Sequence, residues 1–460
     1  MAKNKTAYVC EACGHRELRW SGKCTGCGAW NTLVEKTVDD RPAPRPVLSA
    51  ADRPLRLADV PVDSGGEVRV RTGLGELDEV LGGGLVSGSV VLLGGDPGVG
   101  KSTLLLIAAD RFARRGIPVL YASGEESARQ IRLRADRLGV SGDVWLFANT
   151  DFARVEAAAR GEIDGMPRPR VVVIDSIQTL QIPDVDGLPG SIAQIREVAH
   201  RATVLAKTTG TAVLLVGHVT KSGDIAGPKL LEHLVDTVLY FEGDGRSSLR
   251  MLRSTKNRFG ATGEVGVFEM VEEGLVEVPD ASARLLAERV SDAAGTAVVA
   301  GLEGSRPLLV EVQALVGRPG APVPARTCVG VDRGRLSMLA AVLDKARIDL
   351  HDRDIYINVA GGVRLVEPAT DLAICVAVAS SLTQRAIRSD IAVFGEVGLV
   401  GEVRGVGHPG LRLREAARHG FRRVVVPATT NVDAPPGLTL IPVRTVREAI
   451  LAVGAGPDER

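Results

Sequence analysis

The sequence predicts an α/β protein with a parallel-sheet core, a small N-terminal metal-binding module and a C-terminal α+β domain. Three observations carry this prediction. Residues 95–102 match the phosphate-binding P-loop, apolar strand-like runs alternate with helical stretches around it, and four cysteines fall within the first 27 residues. A P-loop between a buried strand and a helix is typical of parallel α/β folds.

The P-loop is the strongest motif, because every fixed position of the pattern G-x-x-x-x-G-K-S is filled. Its glycines let consecutive backbone N–H groups turn toward phosphate oxygens. Lys101 adds a positive charge near the β- and γ-phosphates, and the Ser102 hydroxyl is a ligand for Mg²⁺. The predicted ATP site consists of Gly95, Asp96, Pro97, Gly98, Val99, Gly100, Lys101, Ser102 and Thr103.

Composition narrows the class of protein. The 460 residues include 56 basic and 56 acidic side chains, so a globally basic nucleic-acid binder is not indicated. Nucleic-acid binding would have to come from a local patch or an assembled channel. Because no apolar run is long enough to span a bilayer and the N-terminus is polar, we expect a cytoplasmic protein with no membrane partner.

The N-terminal module, residues 1–35, contains two C-x₂-C pairs, formed by Cys10, Cys13, Cys24 and Cys27. Four thiolates at this spacing can converge tetrahedrally on Zn²⁺, whereas disulfides are disfavoured in a reducing cytoplasm. A redox-active C-x₂-C pair is the alternative, but two pairs this close together favour a metal. We predict a C4 zinc ribbon whose folding depends on the metal, with Trp20 and Trp30 packed over it. The proline-rich residues that follow predict an extended linker over residues 36–66.

The second domain, residues 67–278, is predicted to contain the parallel sheet. Residues 171–174 are apolar and are followed by Asp175, the Walker B pattern, in which the acid at the end of a strand holds the Mg²⁺ shell. Glu125 and Glu126 follow another strand. We favour Glu125 as the group that orients or deprotonates the attacking water, with Glu126 as the alternative. Both carboxylates also have the simpler interpretation of helix capping, and His218 is either a sensor of the γ-phosphate or an ordinary strand-end histidine.

Residues 255–263 predict a hairpin-like tip between strands at 249–253 and 266–270. The tip carries Lys256 and Arg258. In a ring of subunits such cations can reach a neighbour's ATP and stabilise the transition state in trans. The alternative is an exposed basic turn.

Several motifs together resemble one family. Residues 72–78 (TGLGELD) and 81–85 (LGGGL) stand between the cysteine module and the P-loop, and a KNRFG motif follows. This combination resembles the bacterial RadA family, also called Sms, over nearly the whole chain. The most family-specific element is the KNRFG motif, Lys256, Asn257, Arg258, Phe259 and Gly260.

The resemblance implies a RecA-like ATPase core and a role in DNA repair and homologous recombination. Members of the family are DNA-stimulated ATPases that bind single-stranded DNA and process branched recombination intermediates through branch migration or unwinding. By position, Lys221 and Lys229 match the loop that faces the central channel of RecA-like rings, where they would contact phosphates. The implied partners are single-stranded and branched DNA, a RecA-type recombinase and five further copies of the chain in a homohexameric ring.

The C-terminal region, residues 281–460, resembles the Lon protease domain at residues 367–373 and 395–403. That family hydrolyses peptides with a Ser–Lys dyad. Here Ala369 stands at the serine position and Gly410 at the lysine position, and the guanidinium of Arg412 cannot act as a neutral base. We therefore expect a Lon-protease-like α+β domain that is non-proteolytic and drives ring assembly.

Two other functions remain open from the sequence. A KaiC-like nucleotide-switch module would hydrolyse ATP slowly and without regard to DNA. An ATP-dependent Lon-type protease is less favoured, because both halves of the dyad are absent.

Overall fold

Two compact units make up the protein, Met1–Gly66 and Glu67–Arg460, and each has its own fold. The structure is a computed structural model that describes residues 5–10, 15–17, 19–38, 56–57, 69–140, 142–218, 231–243, 247–320 and 323–456. The predictions for Cys13, Lys221 and Lys229 lie outside these residues.

The N-terminal unit contains a small antiparallel sheet in the order β2-β1-β3. Its strands are β1 (Lys5–Cys10), β2 (Arg16–Glu17) and β3 (Leu33–Val38). Among its described residues, the apolar core consists of Cys10, Cys24 and Leu33, with Tyr8 packed against them. Trp20 and Trp30 are 58% and 69% exposed, so the prediction that they pack over the ribbon is wrong. The core is too small to cover two indole rings.

The second unit is built on a nine-stranded sheet in the order β14-β13-β12-β11-β6-β10-β9-β7-β8. The six strands from β11 to β8 in this order are parallel, and β12, β13 and β14 add antiparallel strands. The strands are β6 (Val90–Gly95), β7 (Val119–Ser123), β8 (Trp145–Ala148), β9 (Val171–Asp175), β10 (Ala212–Val216), β11 (Thr237–Glu242), β12 (Leu249–Asn257), β13 (Val265–Val271) and β14 (Gly274–Glu277). A separate two-stranded ribbon, β4 (Arg69–Val70) with β5 (Leu85–Val86), precedes the sheet in the chain.

Helices cover both faces of this sheet, which explains why its central strands are buried throughout. The helices α1 (Gly75–Val80), α2 (Lys101–Arg114) and α3 (Ala128–Arg137) pack on one face, and α4 (Phe152–Arg160) and α5 (Ile192–Thr209) pack on the other. Ser191 caps the start of α5 by accepting a hydrogen bond from the Gln194 N–H, and Gly210 ends the helix in the left-handed conformation. The prediction of a parallel-sheet α/β core is confirmed.

Strand β12 is longer than the sequence indicated. It was expected to end at residue 253, but it runs to Asn257, so Lys256 and Asn257 lie in a strand rather than in a hairpin tip. The reason is that β12 has a second neighbour. Pairing with β13 covers Leu249 to Arg253, whereas pairing with β11 continues to Asn257 opposite Thr237.

The C-terminal part contains a mixed seven-stranded sheet in the order β17-β18-β16-β15-β19-β22-β23. The strands are β15 (Thr296–Glu303), β16 (Arg306–Gly317), β17 (Arg326–Val329), β18 (Asp354–Val359), β19 (Ile391–Val393), β22 (Arg423–Pro427) and β23 (Thr439–Val443), with a separate hairpin of β20 (Glu396–Val397) and β21 (Val403–Arg404). The helices are α6 (Ala281–Leu286), α7 (Arg333–Lys345), α8 (Asp371–Thr383), α9 (Pro409–Arg418) and α10 (Val446–Ala452). This is the α+β arrangement that was predicted.

A common core joins the nucleotide-binding sheet to the C-terminal part. Leu249, Val265 and Val267 of the first sheet pack in one cluster with Val299 and Val310 of the second. Two ion pairs, Arg306 with Glu76 and Arg253 with Glu303, border this contact. None of the helices in the described residues is long and apolar enough to cross a membrane.

Candidate nucleotide site and metal centre

The P-loop lies at the carboxyl end of β6, where the fold of a parallel α/β sheet brings several strand ends together. Gly95 has a φ of 150°, and a Cβ there would collide with the carbonyl oxygen of Phe241 on the adjacent strand. Lys101 is buried, and its Nζ donates to the carbonyl oxygens of Gly95 at 2.7 Å and Asp96 at 3.0 Å. Burial lowers the pKa of Lys101, against the opposing effect of the nearby carboxylates.

Asp175 ends strand β9, which is separated from β6 by β10, as predicted. It is 3% exposed, and its Oδ2 accepts a hydrogen bond of 2.6 Å from the hydroxyl of Tyr121. Its Oδ1 is buried with no hydrogen-bond partner among the described residues. Burial, together with the charge of Asp175, raises the pKa of Tyr121 well above its usual value, so Tyr121 stays a donor. A buried carboxylate oxygen without a partner among the described residues fits the hydration shell of a Mg²⁺ ion.

Glu125 and Glu126 have different surroundings. The Oε1 of Glu125 accepts a 2.6 Å hydrogen bond from the hydroxyl of Ser176 and lies 3.0 Å from Nε2 of His218. Glu126 turns away and forms an ion pair with Arg134. Glu125 therefore contacts Ser176, the residue after Asp175, whereas Glu126 is paired with Arg134 of α3.

The hydrogen bond with His218 lowers the pKa of Glu125 from its ordinary 4.5 to about 2, against the effect of burial, and Ser176 and Lys101 act in the same direction. A carboxylate with such a pKa is ionised at neutral pH and is a weak base. It is suited to hold a water molecule by accepting a hydrogen bond and less suited to remove its proton.

Two further buried polar atoms near this edge have no partner in the described residues, namely Nδ1 of His218 and Oε1 of Gln178. The Nε2 of Gln178 lies 3.4 Å from the backbone oxygen of His218, so the two side chains belong to one cluster. Buried polar atoms are normally hydrogen-bonded. With Oδ1 of Asp175 they make this edge a candidate site for a polar ligand or water.

The KNRFG motif lies at the opposite end of the strands. Asn257 lies opposite Thr237 of β11, and Gly95 lies opposite Phe241 of the same strand. The motif and the P-loop are therefore about 13 Å apart along β11. Lys256 donates to the backbone oxygens of Glu232 and Val235, the latter at 2.9 Å.

The motif also contacts the glycine-rich segment at residues 81–85. Asn257 donates to the oxygen of Leu81 at 3.3 Å, and Arg69 bonds both Leu81 and Phe259. Arg258 is half-exposed and forms an ion pair of 3.1 Å with Asp236. The two motifs that carry the resemblance thus form one surface, away from the P-loop of the same chain.

The cysteine module brings three of its four predicted ligands together. The sulfurs of Cys10, Cys24 and Cys27 lie within 4.8 Å of one another, and the Sγ atoms of Cys10 and Cys27 are 3.7 Å apart. Tetrahedral Zn²⁺ with Zn–S bonds of about 2.3 Å separates its sulfurs by about 3.8 Å, whereas a disulfide requires about 2.05 Å. The three thiols therefore fit a zinc ion.

Of the two positions of the missing dyad, one is buried and the other is partly exposed. Ala369 is buried in a short turn before α8, and Gly410 lies at the start of α9. Arg412 is 2% exposed and donates to both carboxylate oxygens of Glu367, at 2.9 and 2.6 Å. A guanidinium held in this ion pair supplies no general base.

Sequence patterns did not indicate three residues of the nucleotide edge. Tyr121 is one of several apolar residues in a strand, Ser176 follows a motif that ends at Asp175, and Gln178 lies in a short 3₁₀ turn. Ser176 had one available signal, because a polar residue directly after a strand-ending acid shares its edge of the sheet.

Models of known protein families match three separate segments of the chain. Family models match at residues 8–35 (rubredoxin metal binding domain), 51–224 (AAA domain) and 324–430 (subunit ChlI of Mg-chelatase). The last match lies within the region predicted to be Lon-protease-like. The fold and site define a P-loop ATPase with a cysteine metal module and a mixed α+β C-terminal domain.

Full-length relatives give the family. DNA repair protein RadA of Bacillus subtilis is 46% identical, with 98% of this chain and 99% of the relative covered. The proteins of the same name from Pseudomonas aeruginosa and Streptococcus pyogenes are 48% and 45% identical, with 98% of this chain and 100% of each relative covered. The chain belongs to the RadA family.

Two solved structures match somewhat less than half of the chain. A KaiC-like protein from Pyrococcus horikoshii is 22% identical over 46% of this chain and 99% of its own, with a TM-score of 0.38. A second solved structure, described as an ATPase domain, is 15% identical over 47% of this chain and 93% of its own, with a TM-score of 0.41. Both cover less than half of the chain, so the family assignment comes from the full-length relatives.

Proposed function

We propose that the protein is a DNA-dependent ATPase that binds single-stranded DNA and drives branch migration or unwinding of recombination intermediates. Membership of the RadA family supports the coarser part, an ATPase in DNA repair. The observation that carries the ATPase part is the meeting of Lys101, Asp175 and Glu125 at one edge of the sheet. The motor activity, the DNA substrates and a hexameric ring are the finer parts of the proposal.

ATP would lie in the P-loop, Gly95 to Thr103, with its phosphates against the loop's backbone N–H groups and the start of α2. Lys101 would exchange its bonds to the loop carbonyls for the β- and γ-phosphates. Ser102 and Asp175 would hold Mg²⁺, which neutralises charge on the phosphates when bound. In the N-terminal unit, Cys10, Cys13, Cys24 and Cys27 would hold structural Zn²⁺.

Glu125 would orient the attacking water. Its carboxylate is kept ionised by His218 and Ser176, so it accepts a hydrogen bond from water throughout the physiological pH range. The Glu125→Gln variant should bind ATP normally and hydrolyse it about 10²–10⁴ times more slowly. The matched control is Glu126→Gln, which removes the neighbouring charge and should keep most of the rate. The reverse order of effects would assign the role to Glu126.

Lys256 and Arg258 would act on the ATP of a neighbouring subunit. They lie about 13 Å along the strand from their own P-loop, and the exposed face of Arg258 leaves it accessible. Supplying a cation in trans raises phosphoryl-transfer rates by about 10³–10⁵. Mixing the inactive Lys101→Ala and Arg258→Ala proteins should restore part of the activity, because mixed rings contain complete sites. No recovery at any mixing ratio would assign Arg258 a local role.

DNA would be bound by Lys221 and Lys229 in the channel of the ring. Such contacts are made to phosphates and are independent of sequence. The Lys221→Ala/Lys229→Ala variant should bind single-stranded DNA more weakly for every sequence. The slope of log K against log salt concentration should become shallower by about one to two. An unchanged affinity and salt dependence would locate the DNA contact elsewhere on the protein.

Each segment of the chain would have a separate role. We propose a zinc ribbon at residues 1–35, a linker at 36–66, a RecA-like ATPase domain at 67–278 and a Lon-protease-like scaffold at 281–460. The scaffold would assemble the ring, and the zinc ribbon would contact DNA or a RecA-type recombinase. The protein would act in the cytoplasm.

A further inference from the structure

Arg250 lies on β12 behind the P-loop, where no sequence motif marks it. Its Nε donates to the carbonyl oxygen of Val99 at 3.2 Å, and its Nη1 donates to the carbonyl oxygens of Ser247 at 2.6 Å and Leu249 at 2.8 Å. The side chain packs closely on Gly243, where a Cβ would collide with it. One guanidinium therefore joins the P-loop to the segment that begins β12.

The hydrogen bond to Val99 orients a peptide group that faces the phosphates. In a planar trans peptide the C=O and the following N–H point in opposite directions. When Arg250 holds the Val99 carbonyl toward the back of the loop, the N–H of Gly100 points to the other side, into the curve of the P-loop. A charged donor on the carbonyl also polarises the peptide and strengthens its N–H as a donor to an anion.

Ser247 extends this contact to the C-terminal part of the protein. Its hydroxyl donates to the backbone oxygen of Gly361 at 2.8 Å, in the turn that follows β18. That turn is closely packed, since a Cβ on Gly361 would collide with Leu285 and one on Gly362 would lie 2.8 Å from the Cβ of Ser247. A continuous series of hydrogen bonds thus runs from Val99 through Arg250 and Ser247 to Gly361.

We propose that Arg250 is a positioning residue, which fixes the Val99–Gly100 peptide for phosphate binding and links its position, through Ser247, to the C-terminal domain. The inference rests on the proposed ATP site. Binding of the nucleotide fixes the peptide, the fixed peptide orders Arg250, and Arg250 orders the turn that carries Gly361. Because linkage between two sites is reciprocal, the docked C-terminal domain strengthens nucleotide binding by the same factor.

The test uses the full-length protein with Mg²⁺ and a slowly hydrolysed ATP analogue. Arg250→Met keeps the length of the side chain and removes its donors, and Ser247→Ala breaks only the contact with Gly361. Arg253→Gln is the matched control, because Arg253 lies on the same strand and contacts the C-terminal part through Glu303 without touching the P-loop. Two quantities are measured, the dissociation constant of the analogue and the amide hydrogen exchange of residues 359–363.

Arg250→Met should weaken binding of the analogue about 10- to 100-fold, the loss expected for a charged hydrogen bond. Arg250→Lys should recover part of the affinity, and Ser247→Ala should weaken binding only by the factor by which the analogue slows exchange at residues 359–363 in wild type. In wild type and Arg253→Gln the analogue should slow exchange at residues 359–363. This response should disappear in Arg250→Met and Ser247→Ala, which a purely structural role for Arg250 would not predict.

Melting temperature and far-UV circular dichroism of each variant establish that it is folded. If Arg250→Met is unfolded, Arg250→Lys and Ser247→Ala decide the question by the same exchange measurement. Wild-type affinity in Arg250→Met, or an undiminished response at residues 359–363 in Ser247→Ala, would overturn the inference and leave the ATP site intact. If wild type fails to bind the analogue while folded, the proposed function fails with it.

Discussion

Replacing Arg412 by alanine should destabilise the C-terminal domain by about 3–5 kcal/mol, the cost of leaving one member of a buried ion pair without its partner. Arg412 is 2% exposed. Besides its two bonds to Glu367, it donates to the backbone oxygens of Ala300 at 2.9 Å and Gly407 at 3.0 Å, and it stacks 5.7 Å from the ring of Phe394. The variant removes all of these contacts at once.

The loss of stability follows from the hydrogen bonds that Glu367 retains after the substitution. Oε1 of Glu367 keeps a hydrogen bond from the Leu302 N–H, but the bond from Arg412 to Oε2 is lost. A domain of 150–250 residues loses about 2–4 °C of melting temperature per kcal/mol. We therefore expect the transition of the C-terminal part to fall by about 6–20 °C.

Calorimetry and circular dichroism of the full-length protein measure this shift. The control is Arg404→Ala, which breaks an exposed pair with Glu402 and should cost at most about 1 kcal/mol. In the double variant Arg412→Met/Glu367→Leu most of the loss should be recovered, because apolar residues of similar size replace a buried ion pair at little cost. A shift below 2 °C in Arg412→Ala, or a double variant no more stable than the single one, would refute the reasoning.

Three shorter predictions concern the two candidate sites. Ser176→Ala removes a hydrogen bond that lowers the pKa of Glu125, so the pKa should rise from about 2 toward 4.5. The carboxylate becomes protonated as the pH falls through this pKa. The rate of ATP hydrolysis should therefore begin to fall at a higher pH in the variant than in wild type. Gly95→Ala should abolish binding of ATP, measured by calorimetry, because its Cβ collides with Phe241. Cys24→Ser should release zinc and make residues 1–66 sensitive to protease, with DNA-independent ATP hydrolysis unchanged.

Each of these has a result that would contradict it. If Ser176→Ala lost ATP hydrolysis at the same low pH as wild type, Glu125 would not be the group that causes this loss. For the P-loop, Gly317→Ala is the control, since a Cβ at Gly317 meets nothing within 4 Å, and equal ATP affinity in both variants would contradict the prediction. Retention of stoichiometric zinc by Cys24→Ser, measured with a chromogenic chelator, would remove Cys24 from the metal site.

The sequence predicts the nucleotide edge well where the chemistry is local. The strand Val171–Asp175 has the predicted bounds, and the P-loop joins a strand to a helix as expected. In each case a short apolar run fixes the strand, and the residue after it falls at the sheet edge. The glycines and the lysine of the P-loop are likewise predictable, because a single tight backbone turn requires them at these positions.

Contacts between distant segments could not be predicted in this way. Ser176 contacts Glu125 across 51 residues of sequence, and Tyr121 contacts Asp175 across 54. Arg412 illustrates the difference, because the sequence excludes it as a base, but only the fold reveals that Glu367 neutralises it. The extension of β12 to Asn257 has the same origin, since it depends on β11 as a second neighbour.

The most direct test of the account is ATP hydrolysis by the full-length protein, measured with and without single-stranded DNA over a range of salt concentrations. We predict that DNA stimulates hydrolysis, that salt weakens the stimulation because the contacts are made to phosphates, and that Lys101→Ala abolishes both rates while remaining folded. A hydrolysis rate indifferent to single-stranded DNA at every salt concentration would contradict a DNA-dependent motor and favour a nucleotide switch.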